Sequence, residues 1–263
     1  MAQKSRTKKD KQIEELSTMI STNAKATMEG PRKKHFSPHD LKTVKPLNHI
    51  QETMFESFFQ GNNIIAHGSA GTGKSFVALY LALAEMLNKQ NGVFKIIIVR
   101  SAVQNREIGH LPGSIEEKLA VYELPYKDIV NHLMGKYDAY DTMKSLGCIE
   151  FIPTSFVRGL TWDNAIIFID EIQNMNFHEI NSVVTRTGEN SRIIACGDVA
   201  QNDLFNKKNE LTGMPKFLNV ARRSNVFDEI IFTRDDIVRS GFVKKWICAV
   251  EDDDANVVSL KAA

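Results

Sequence analysis

The sequence predicts an α/β domain, a mostly parallel sheet flanked by helices, and three observations carry that expectation. Short apolar runs recur, among them Asn63-Ile-Ile-Ala-His67, Phe94-Lys-Ile-Ile-Ile-Val99 and Ala165-Ile-Ile-Phe-Ile169, each too short for a helix and bounded by turn residues. The third is apolar at every position, which suits a strand buried on both faces, as strands of parallel sheets are. Between the first two runs lies Phe76 to Asn88, an apolar helical stretch, so strand and helix alternate as βαβ units require.

The chain has 263 residues, room for one large domain with tails or two small ones, and its 43% hydrophobic content is ordinary for a globular protein. A net charge of +1 gives the whole molecule no strong field, so affinity for nucleic acid or a membrane surface has to come from local patches. Cys148, Cys196 and Cys248 are far apart, with no CxxC and no metal-ligand spacing, which fits a reducing, cytoplasmic setting. No apolar run is long enough to span a membrane, and the lysine-rich start lacks the apolar core of a signal peptide.

Taken in order, residues 1–45 carry eleven lysines and arginines against five acids and few large apolar residues. Two readings stand: a solvated, partly disordered tail, or a basic arm that holds phosphate backbones. Pro46-Leu47-Asn48 opens the folded part, which is expected to run from 46 to 250. Asn48 is placed to cap a helix over His49 to Phe59 ending near Gly61. Gln51 lies on that helix, where an isolated glutamine ordinarily faces solvent.

After the first strand comes Gly68-Ser69-Ala70-Gly71-Thr72-Gly73-Lys74-Ser75, which fits GxxxxGKS/T without mismatch. Phosphate oxygens need converging backbone N–H groups, and glycines let the chain turn tightly with no Cβ in the way. Lys74 is then expected at the β and γ phosphates of a nucleoside triphosphate and the Ser75 hydroxyl at magnesium, with Phe76 opening the helix whose positive end faces the anion.

Gly92 breaks the pattern before the second strand, which delivers Arg100-Ser101-Ala102-Val103 at its carboxyl end, where ligands of open α/β sheets gather. Residues 104–147, interrupted by Leu111-Pro112-Gly113, read as a helical insertion. Cys148 to Ile152 is a third strand, and a polar loop follows. Ala165 to Ile169 ends abruptly in Asp170-Glu171, a Walker B pattern: Asp170 to hold the magnesium water shell, Glu171 to orient or deprotonate the attacking water. The two strand tips are expected to be neighbours. Ser191 to Cys196 is a further strand leading to Gly197-Asp198 and Gln201, a candidate γ-phosphate sensor. Glu229 to Phe232 is the last strand, a helix is expected from Asp235 through Trp246, and Glu251-Asp-Asp-Asp254 begins an acidic tail covering 251–263.

These motifs, in this order, resemble the PhoH-like P-loop ATPases, including the short versions carried by bacteriophages. The resemblance covers Gln51 to about Glu251 and adds Glu117-Lys118, Ile149-Glu150, Arg158-Gly159 with Thr161, Asp170-Glu-Ile-Gln-Asn174, Thr185-Arg186, Asp203-Leu204 and Val238-Arg239. It departs at Ser69, where the family usually has proline, and at Leu160, where it usually has a second arginine. The resemblance implies a RecA-like core with an additional strand, similar to the first motor domain of superfamily 1 helicases, and ATP hydrolysis linked to single-stranded RNA or DNA, with Gln51 facing the adenine.

Superfamily 1 motors close their site between two such halves, and this length accommodates one. The arginine that stabilises charge on the leaving phosphates, typically contributing roughly 10³ to 10⁵ in rate, is therefore expected from a neighbouring subunit in a homo-oligomeric, hexameric ring. Arg239 is the first candidate and Arg186 the second. Two functions are compatible with the sequence: a motor that remodels nucleic acid, and an ATP-driven switch acting on a protein partner.

Overall fold

The computed structural model describes residues 36–101, 115–198 and 212–262. Its centre is a six-stranded sheet of β1 (Asn63–Gly68), β2 (Lys95–Arg100), β3 (Ile149–Pro153), β4 (Ala165–Ile169), β5 (Arg192–Gly197) and β6 (Phe227–Phe232), in the order β3-β2-β4-β5-β1-β6. Every pairing is parallel. One expectation fails here: β1 and β4 are not neighbours, because β5 pairs with both and lies between them.

Parallel strands need crossovers, and the helices that supply them cover both faces. On one face α1 (His49–Phe59), α2 (Lys74–Leu87), α3 (Ile115–Met134) and α4 (Ala139–Ser145) pack through Met54, Leu79, Leu83, Leu133 and Tyr140 onto Ile64, Ile96, Ile98, Ile166 and Phe168. On the other, α5 (Phe177–Val184) and α6 (Met214–Ser224) pack through Ile180, Val183 and Phe217 onto Ile65, Ile97, Val99, Ile167 and Ile169. Successive residues of one strand thus enter opposite cores, the two-residue period of a strand buried twice.

Asn48 caps α1 as its sequence position suggests, its side chain accepting from the Gln51 N–H at 3.0 Å. Helix α5 went unread although its signal is present: Asn176 and Glu179 form a reciprocal capping box. Residues 36–45, expected to belong to the basic tail, are packed onto the domain. Phe36 is buried beneath the Lys136 ammonium, and the Lys42 N–H donates to the Leu133 carbonyl. The stretch 1–35 lies outside the described residues.

The end of the chain also departs from expectation. Thr233 and Asp236 close a single 3₁₀ turn over Arg234–Asp236, Ile237 leaves it in an extended conformation, and the last helix, α7 (Gly241–Ala262), starts later than expected. Val238 and Arg239 therefore lie in a connection. The expected acidic tail continues α7 as helix, where Glu251 and Asp252 both bond Arg234. Among the described residues no helix is long and apolar enough to cross a membrane.

Candidate nucleotide site

The glycine-rich turn leaves β1 at the carboxyl edge of the sheet. Gly68 has φ +127°, and a Cβ there would lie 1.9 Å from the Phe232 carbonyl oxygen, so only glycine lets the turn press this closely against β6. The Ser69 N–H donates to that same carbonyl at 3.0 Å. Gly73, in the left-handed region, is the N-cap of α2. The Lys74 ammonium curls back inside the turn, donating to the Ser69 carbonyl at 2.6 Å, the Gly68 carbonyl at 3.1 Å and the Thr72 hydroxyl at 3.3 Å. Burial lowers its pKa, against the opposing influence of Asp198, Cys196, Asp170 and Glu171.

A cleft of about 950 Å³ opens above, lined by Ala70, Gly71, Thr72, Gly73, Lys74, Ser75 and Phe76 on one side and by Asp170, Glu171 and Asp198 on the other. Asp170 is buried at the tip of β4. Its Oδ1 accepts from the Ser75 hydroxyl at 2.9 Å and its Oδ2 from the Tyr126 hydroxyl at 3.0 Å. Burial raises its pKa, with the Ser75 hydrogen bond, the Arg100 charge and the Tyr126 hydrogen bond acting the other way. Glu171 has φ 56°, a left-handed conformation that a non-glycine residue adopts under constraint, and it aims the carboxylate into the cleft. That carboxylate accepts from the Gln173 amide, whose oxygen accepts from the Asp198 N–H at 2.9 Å.

The residues singled out by sequence fall into three groups. Those of the turn, with Asp170 and Glu171, converge on one cleft, Gly68 and Ser69 meeting Lys74 through their carbonyls. Gln51 is also there but does not face solvent: it is buried, its amide nitrogen donates to the Thr72 carbonyl at 2.9 Å, and its oxygen accepts from the Leu47 N–H at 2.9 Å. Its amide ties the turn, through Thr72, to the segment ahead of α1, through Leu47. Arg239 lines the cleft of its own chain, beside Gly71, whose carbonyl accepts from the Val238 N–H at 3.1 Å. Arg186 is elsewhere, in a segment that runs beside Trp162 ahead of β4 and β5, at the amino edge of the sheet. Its Nε is buried with no hydrogen-bond partner. Gln201, Ala102, Val103, Leu111, Pro112, Gly113, Asp203 and Leu204 lie outside the described residues.

Sequence reasoning missed two contacts. Tyr126 comes from the helical insertion with no local motif to mark it. Gln173 stood within Asp-Glu-Ile-Gln-Asn but had no role until Asp198 was placed beside it.

A glycine turn that brings a lysine to the carboxyl edge of a parallel sheet, with one strand inserted between it and the acids, makes this a P-loop nucleoside triphosphate-binding domain. The family can be given as well. The description "PhoH-like protein" matches residues 43–251, and the chain belongs to the PhoH family. Protein PhoH of Escherichia coli (strain K12) is 29% identical over 212 residues, covering 80% of this chain and 59% of that protein. The PhoH-like protein of Bacillus subtilis (strain 168) is 33% identical over 185 residues, covering 70% and 56%. The chain thus spans less than two thirds of the length of these relatives. Among solved structures, the Pif1 helicase from Candida albicans is similar at 16% identity and a TM-score of 0.37, covering 72% of this chain and 40% of that one.

Proposed function

We propose that this chain is a magnesium-dependent ATP hydrolase that acts as an oligomer on single-stranded RNA or DNA. The observation that carries the hydrolase reading is the 2.9 Å approach of the Ser75 hydroxyl to Asp170 Oδ1 at the mouth of the lysine turn. A hydroxyl and a carboxylate are the hard oxygen donors that suit magnesium, which usually takes one or two protein ligands and completes its shell with water and phosphate oxygens. Among the described residues no cluster of three or more histidines, cysteines or acids competes as a metal site. Bound there, the ion would neutralise charge on the β and γ phosphates.

The chain's own groups divide the remaining work. The backbone N–H groups of the turn bind the phosphates, and Lys74 moves from the carbonyls of Gly68 and Ser69 to the β and γ oxygens. Glu171, held by Gln173, orients the attacking water and accepts its proton. ATP in preference to another triphosphate follows from the family resemblance, because Gln51 is already bonded at both ends of its amide. Arg239 suits the phosphates of its own chain's nucleotide. Arg186, at the opposite edge of the sheet, is then the arginine offered to a neighbour in a head-to-tail ring, hexameric by the same resemblance. Three free thiols fit a cytoplasmic setting.

The nucleic-acid part rests on the basic excess of residues 1–45. It is tested by ATP turnover with and without single-stranded RNA or DNA across a salt series. Stimulation that falls steeply as salt rises is the expected result. Turnover indifferent to both polymers at every salt concentration replaces the motor with a switch acting on a protein partner.

A further inference from the structure

We propose that Tyr126 is the positioning residue that fixes Asp170 for magnesium, so that helix α3 sets the metal affinity of the site; this rests on the reading of Ser75 and Asp170 as the metal-binding pair. The Tyr126 side chain is 1% exposed, and its hydroxyl has a single proton. Arg100, at the tip of β2, brings its positive charge close enough to act on both that hydroxyl and Asp170. The direction of the bond follows from its partner: a carboxylate accepts, so the phenol proton goes to Asp170 Oδ2.

A carboxylate turns easily about its last torsion, which is broad and two-fold. With Oδ2 held at 3.0 Å by Tyr126, Oδ1 is left facing the Ser75 hydroxyl at 2.9 Å, on the side where a cation between the two would sit. The phenol is itself aimed by the sheet. Its ring packs on Phe151 of β3, centroids 5.9 Å apart, and edge-on against Phe168 of β4 at 6.0 Å. Neighbouring turns of α3 touch the same region: the Tyr122 ring lies 5.8 Å from the Arg100 guanidinium, and Ile129 lines the cleft. One face of α3 thus rests on the nucleotide site, and only Tyr126 reaches the acid there with a polar atom among the contacts described.

Tyr126→Phe keeps the ring and removes the one hydroxyl. Binding of manganese in the presence of ADP, followed by electron paramagnetic resonance, is expected to need about tenfold more metal for half-saturation, the usual scale for losing a partner of a metal-binding carboxylate. The magnesium needed for half-maximal turnover should rise in parallel while turnover at saturating magnesium stays within about twofold. Affinity for N-methylanthraniloyl ATP in EDTA should not move. An unchanged metal requirement overturns the proposal, as does an equal loss of nucleotide affinity in EDTA, which marks the hydroxyl as a packing contact. If Tyr126→Phe does not fold, Phe151→Leu decides: it loosens the ring without removing the hydroxyl, and the metal requirement should rise two- to threefold, no rise counting against. Wild-type protein whose nucleotide binding ignores both metals removes the metal-site reading itself, an outcome distinct from a normal wild type with an unaffected variant.

Discussion

The two walls of the nucleotide cleft are assembled in opposite ways. On the β1 side the contacts of Lys74 are made two, five and six residues away in sequence, to a turn built of backbone. On the β4 side Asp170 is held by Ser75 and Tyr126, separated from it by 95 and 44 residues. In the first wall the lysine is held within its own turn, which is set sterically; in the second the acid is held by an assembly of side chains from three elements. Damage to the first should abolish binding, whereas damage to the second should leave nucleotide bound and stop its consumption.

Gly68→Ala tests that division most severely. A methyl 1.9 Å from the Phe232 oxygen, at a φ only glycine tolerates, should cost about 3 kcal/mol of stability and eliminate ATP binding. Calorimetry and a thermal melt report both, and a variant that melts and binds normally would show that the wall is not steric.

A second comparison sets Glu171→Gln against Lys74→Ala. The glutamine should lower turnover by roughly 10² to 10⁴ with ATP affinity retained, while the alanine loses affinity and turnover together. Normal hydrolysis by Glu171→Gln would remove the water-activating role from the acid wall.

The smallest effect concerns what lies behind the local wall. His67, the residue before Gly68, bonds Glu229 at 2.7 Å, and Arg222 bonds the same carboxylate at 2.6 Å. Those contacts, Arg222 first, lower the Glu229 pKa to about 2, from an ordinary 4.5. A depressed carboxylate contributes stability that is complete above its unfolded value and is lost as pH falls towards the folded one. Glu229→Gln should therefore lower the urea midpoint at pH 7, with the gap from wild type beginning to shrink below about pH 4.5. A gap constant from pH 7 to pH 3 would exclude this origin.

The same contrast explains what could be read from sequence. Ala165–Ile169 and the Asn48 cap announced themselves because apolar periodicity and capping act within a few residues. The lysine turn did so because its chemistry is contiguous. Tyr126 could not be found, since nothing in the insertion marks which of its aromatics meets the sheet. Gln51 reads as a surface residue or a base reader until Thr72 and Leu47 are seen at its two ends. The position of β5 between β1 and β4 is likewise a pairing among distant segments, which periodicity does not encode.

The turn begun at Gly68 leans on Phe232 and is roofed by Val238. On the ribosome the whole phosphate motif is therefore made first, and the surfaces that set its shape are translated more than 150 residues later. The shape of the turn thus depends on the last strand being in place.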